Sequence, residues 1–164
     1  MAVELIIATF EGSENEAGEF MGRLRELENQ NEITVAGATA ISRPVDGEAQ
    51  LEHLHEKGKK RGGTYGALTG ALAGLLVGGP IVGAIGAVAG GVGGSAISDI
   101  TDHGIPESLV DDIRDGLNPG SSALLVYLDQ QWTAMAISRL NEAGATVTHE
   151  PVSLKQTEPR SASG

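Results

Sequence analysis

His53 and His55 stand two residues apart with Glu56 just behind them, and Asp99, Asp102 and His103 gather further along the chain. These are the side chains whose types and spacing could do chemistry, and that chemistry would be metal ligation by imidazole and carboxylate. The spacing argues against it. A two-residue interval places His53 and His55 on one face only in a strand, and Asp99, Asp102 and His103 converge only on a helix that runs past the neighbouring glycines. Solvated polar residues at a junction are the better account of both groups. Ser121 and Ser122 lack the G-x-S-x-G setting of a hydrolase nucleophile. The glycine-rich stretch Gly62 to Gly94 lacks the Lys-Ser/Thr ending of a phosphate loop, and its glycines recur too regularly for a dinucleotide turn. With no cysteine in the chain, disulfides, thiolate metal sites and cysteine nucleophiles are excluded. No catalytic residue, metal or cofactor is therefore expected, and the chain reads as non-enzymatic.

The charge balance narrows the partners. Of the 164 residues, 22 are acidic and 11 basic, giving a formal charge of −11 that opposes nucleic acid and other phosphate-rich partners. The opening "MAVELIIATF" has no basic leader, so a strand is expected there rather than a signal peptide. No small-molecule ligand can be named from these residues.

The elements that must position any site come in two similar sets. "VELIIATF" is a continuous apolar run rich in strand formers. Ser13 and Glu16 have capping-box spacing, and Ala17, Phe20, Met21, Leu24 and Leu27 then recur at helical intervals. "ITVAGATAISR" follows as a more polar strand, closed by the turn "PVDGE". The order returns near the other end. Ala123 to Leu128 form a second apolar strand, Asp129 is placed to cap a helix with Trp132, Ala136, Leu140 and Ala143 on one face, and Gly144 ends it. Trp132 is expected to pack this helix on the sheet rather than to serve as a ligand platform. In the last strand, "ATVTHEPV", Pro151 cannot donate to a ladder and so belongs at an edge. Two strand-helix-strand units with apolar first strands and wetter second strands predict an α+β fold of the ferredoxin-like, split βαβ kind. Its four-stranded antiparallel sheet would hold the first and third strands in the middle and the second and fourth at the edges.

Between the halves lies an uncharged insertion. Gly62, Gly66, Gly70, Gly74 and Gly78 recur at every fourth position, while Leu68, Leu72, Leu75 and Leu76 cluster on the opposite side of a helix turning about 100° per residue. Gly78, Gly79 and Pro80 break that helix. A second arm repeats the design, with Ile81, Ile85, Val88 and Val92 opposite Gly83, Ala87, Gly90 and Gly94. Each glycine inside a helix costs about 0.5–1 kcal/mol relative to alanine, so neither arm is stable alone. Close backbone packing of the small faces would compensate, as in membrane helix pairs, leaving the branched stripes to meet lipid or a protein core. Each arm spans roughly 25 Å at about 1.5 Å per residue, short of the roughly 30 Å hydrocarbon core. Lys57, Lys59, Lys60 and Arg61 precede the hairpin and would hold its mouth on the cytoplasmic side.

Taken together, the hairpin, the following "SDITDHGIPESLVDDIRDGLNPGSSALLVYL" and the flanking units resemble the bacterial family catalogued as domain of unknown function twelve-sixty-nine, usually labelled uncharacterised membrane proteins. The resemblance covers the chain to Lys155 and is most specific at "LNPGSSALLVYL". It implies membrane association and supplies no catalytic residue. Within that stretch Pro106 and Glu107 suit a helix start, with Leu109, Val110, Ile113 and Leu117 on its buried face, and "NPGSS" is a turn into the central strand.

The organisation expected is a first half-domain over 1–56, the basic flank and hairpin over 57–98, a second half-domain over 99–155 and a disordered polar tail over 156–164. Two function classes fit it. One is a protein of the cytoplasmic membrane, its ferredoxin-like domain tethered by a hairpin that binds lipid and self-associates. The other is a soluble cytoplasmic homo-oligomer, an assembly or small-molecule-sensing module whose hairpins pack together in its core. A monomer leaving these stripes in water would aggregate.

Overall fold

The structure, a computed structural model, describes residues 2–46, 49–54, 72–73, 76, 105–106, 108–109 and 117–152. The apolar run at the start forms strand β1 (Val3–Phe10), and helix α1 (Glu16–Asn29) follows with Ala17, Phe20, Met21 and Leu24 buried, the face its spacing predicts. Asn31, at φ 59°, turns the chain out of the helix. Strand β2 (Val35–Arg43) ends before Pro44, and a further strand, β3 (Gln50–Leu54), pairs back along it. After the insertion come β4 (Ser121–Asp129), helix α2 (Gln130–Glu142) and β5 (Thr146–Val152).

The fold is α+β, with a five-stranded antiparallel sheet in the order β3-β2-β4-β1-β5. Two of the sequence expectations change here. The sheet has five strands rather than four, because residues 50–54 form a hairpin partner for β2 instead of belonging to the connection after the turn. The second strand is consequently interior, and β3 takes its edge. Pro151 does lie on an edge strand, opposite Glu4 of β1. The two apolar runs, β1 and β4, are neighbours inside the sheet, and eight of the nine residues of β4 are buried.

Each face of the sheet has its own core. On one, α1 and α2 lay Phe20, Met21, Leu24, Ala136 and Leu140 over Ile6, Ala8, Leu124, Val126 and Leu128. Burying a side chain of this size removes it from water at a gain of roughly 1.5–3 kcal/mol. On the other face, Leu5, Ile7, Ile41, Leu125 and Tyr127 are covered by residues from within and beyond the insertion: Leu72, Ala73, Leu76, Ile105, Leu109 and Leu117.

The capping expectation for α1 also changes. The N-cap is Asn15, whose side chain makes no capping bond. The amide of Ala17 in the first turn donates instead to the Ser122 hydroxyl at 3.2 Å, from the neighbouring strand β4. At α2 the cap is as expected, with Asp129 accepting from the Gln131 amide at 3.1 Å, and Gly144, at φ +87°, ends the helix.

Candidate functional site: the neck of the glycine-rich insertion

Leu72, Ala73 and Leu76 are the described residues of the insertion's first arm, and all three are buried on the sheet. Leu72 is 0% exposed and Leu76 2%, so these members of the branched stripe face the protein's own core rather than lipid. The spacing of four puts Leu72 and Leu76 on one side of a helix. Their neighbours in the core come from β1, β2 and β4, through Leu5, Ile7, Ile41, Ala123, Leu125 and Tyr127.

The chain returns to the same face. Ile105, Leu109 and Leu117 are buried in the same core, and the Leu109 amide donates to the Pro106 carbonyl, consistent with the helix start expected at that proline. The outgoing and returning segments of the neck are tied directly. The Leu117 amide donates to the Leu76 carbonyl, and the Leu117 carbonyl accepts from Arg43 Nη1 at 2.6 Å. Arg43 closes β2, and its own carbonyl accepts from Gly120. A hydrogen bond to a charged donor contributes more than a neutral one, so Arg43 is the anchor that fixes where the returning chain enters β4.

The turn into β4 follows from its residue types. Asn118, Pro119, Gly120 and Ser121 form a β-turn closed by the Ser121 amide on the Asn118 carbonyl at 3.2 Å, with Gly120 at φ +81°. Proline at the second position and glycine with positive φ at the third are what a type II turn demands. A Cβ at Gly120 would sit 3.1 Å from Val45 Cγ2. The adjacent serines are structural. Ser121 accepts from Gly12 at 3.1 Å and Ser122 from Ala17, so the two hydroxyls fix the connection before α1 and the helix's first turn.

The remaining sequence-derived candidates are distributed as follows. His53 pairs with Thr39 across β2 and β3. His55, Glu56, Asp99, Asp102 and His103 lie outside the described residues, as do Lys57, Lys59, Lys60 and Arg61. So do Gly62, Gly66, Leu68, Gly70, Gly74, Leu75, Gly78, Ile81, Gly83, Ile85, Ala87, Val88, Gly90, Val92 and Gly94, the helix-face residues Val110 and Ile113, and the tail 156–164. Among the described residues no cluster could hold a metal ion, and no helix is long and apolar enough to cross a membrane. Trp132 packs against the helix-side core, as expected. Leu109 and Leu117 are buried as their spacing predicts, but sequence reasoning missed Arg43, its bond to the Leu117 carbonyl and the backbone contacts of the serine pair. The available signal was an isolated cation at a strand end, facing a turn sequence that must begin the central strand.

A family model described as "Protein of unknown function (DUF1269)" matches residues 63–160, more than half of the chain and the part that holds the neck, β4, α2 and β5. No curated protein matches the chain, and no solved structure matches it.

Proposed function

The chain belongs to this family of proteins of unknown function, and on that premise we propose that it is a non-enzymatic membrane-associated protein. Its ferredoxin-like domain docks on the lipid surface through the excursion between Leu76 and Ile105. The observation that carries this reading is that both ends of the excursion are held on one sheet face, while residues 77–98 carry no charge at all. An apolar segment of that kind needs cover from lipid or protein.

The same observation revises the depth of insertion. Between Leu76 and Ile105 lie 28 residues. Divided into two helical arms, they reach at most about 21 Å at about 1.5 Å per residue, less than the roughly 30 Å hydrocarbon core. Extended chain would reach further but would leave its amides unpaired in lipid. Shallow insertion from one side is what this length permits, with both halves of the domain on the cytoplasmic surface. Lys57, Lys59, Lys60 and Arg61 offer a local complement to anionic headgroups against the overall charge of −11. Gly83, Ala87, Gly90 and Gly94 give the excursion a small-residue face for a second copy. The ferredoxin-like assignment is supported by the order β2-β4-β1-β5 within the larger sheet.

The test is flotation of the purified chain with phosphatidylcholine vesicles containing none or about a third phosphatidylglycerol. The full chain should rise with the vesicles, and a variant with residues 77–104 replaced by an eight-residue Gly-Ser bridge should stay below while keeping its circular dichroism. Failure of the full chain to float, together with a defined oligomer in detergent-free solution, would replace this reading with the soluble assembly.

A further inference from the structure

A cavity of about 250 Å³ opens between α1 and α2, away from the neck and on the opposite face of the sheet. Its floor is apolar, built from Phe20, Leu24, Ile33, Leu128 and Trp132, and Arg23 and Arg139 line it from the two helices. Both arginines are exposed, and neither makes an ion pair among the described residues. Glu142 also lines it, so the cavity's formal charge is one positive unit within a chain of −11. The Trp132 Nε1 is buried and has no hydrogen-bond partner among the described residues. A buried indole N–H normally finds an acceptor, and leaving it without one is costly.

We propose that this cavity binds a small amphiphilic monocarboxylate. The apolar floor takes the hydrocarbon body and the two guanidinium groups take the carboxylate. Guanidinium is the side chain suited to planar carboxylates. Size sets the class: a cavity of about 150 Å³ holds benzene, so about 250 Å³ suits a body of roughly ten non-hydrogen atoms. This inference is independent of lipid docking, since its residues lie on the helix side of the sheet.

Trp132 is the one tryptophan in the chain, so its fluorescence reports this cavity without labelling. Octanoate is the probe, with octanol and octylamine matching its hydrocarbon body but not its charge. Octanoate should shift the Trp132 emission saturably and bind at least about tenfold more tightly than either control. Arg23→Gln and Arg139→Gln should each weaken it about fivefold or more, whereas Arg139→Lys should recover part of the loss. A non-saturable response, equal binding of octanol, or unchanged affinity in both glutamine variants would overturn the assignment.

Discussion

Leu76→Ala separates a core role for the insertion's first arm from a lipid-facing one. Leu76 is 2% exposed and Leu72 0%, and both lie against Leu5, Ile7, Leu125 and Tyr127 on the sheet. Removing the Cγ methine and both Cδ methyls from such a site loses their transfer free energy and leaves a cavity, together about 2–5 kcal/mol. The neck limits collapse, because the Leu76 carbonyl is held by the Leu117 amide, so the middle of that range, about 3 kcal/mol, is expected. With a urea m-value of about 2 kcal/mol/M, the midpoint should fall by about 1.5 M. Leu51, 46% exposed on β3, is the control, and Leu51→Ala should move stability by less than about 0.5 kcal/mol. Equilibrium urea unfolding followed by far-ultraviolet circular dichroism, with and without a mild non-ionic detergent, gives all three values. If Leu72→Ala and Leu76→Ala both unfold at the midpoint of the parent in detergent-free buffer, the first arm is not part of the core and the neck argument fails.

Ser122→Ala should destabilise the fold by about 1–3 kcal/mol in the same assay, because the buried Ala17 amide loses its acceptor and the N-cap residue offers no substitute. Asp129→Ala removes the side-chain cap of α2 and should cost about 1 kcal/mol, read as a lower thermal midpoint. Gly120→Ala meets both a positive φ and the Val45 methyl at 3.1 Å. It should cost about 1–2 kcal/mol, and adding Val45→Ala should relieve only the steric share. Arg43→Met should accelerate hydrogen exchange at the Leu117 amide relative to amides of β1, since the Leu117 carbonyl loses its charged partner.

Much of the fold is written in local patterns. The stripe Ala17, Phe20, Met21 and Leu24 becomes the buried side of α1, the Asp129 cap and the Gly144 stop bound α2, and Pro151 marks an edge. These features depend on residues a few positions apart, where spacing carries the information. The cap of α1 was illegible because its acceptor, Ser122, is more than a hundred residues away in sequence. Arg43 and Leu117, 74 residues apart, were hidden for the same kind of reason. Strand β3 was obscured by its composition, since Gln50–Leu54 alternates too briefly to stand out beside a charged stretch. The inter-helix cavity depends on which side chains of α1 and α2 end up facing one another, and a single helix's periodicity does not encode that.

The position of the first arm, by contrast, follows from β4 once its pattern is taken seriously. Ala123, Leu125 and Tyr127 point to one side of the strand and Leu124, Val126 and Leu128 to the other, and all are buried. A strand apolar on both faces needs a layer on each. The helices α1 and α2 occupy one side, so the second layer must come from elsewhere in the chain, and the long apolar supply is the insertion and its return. Leu72 and Leu76 before the excursion, and Ile105, Leu109 and Leu117 after it, supply that layer. Leucines spent on the sheet are not available to lipid. Leu72, Ala73 and Leu76 are therefore spent on the sheet, and the proposed lipid docking rests on the uncharged stretch beyond them.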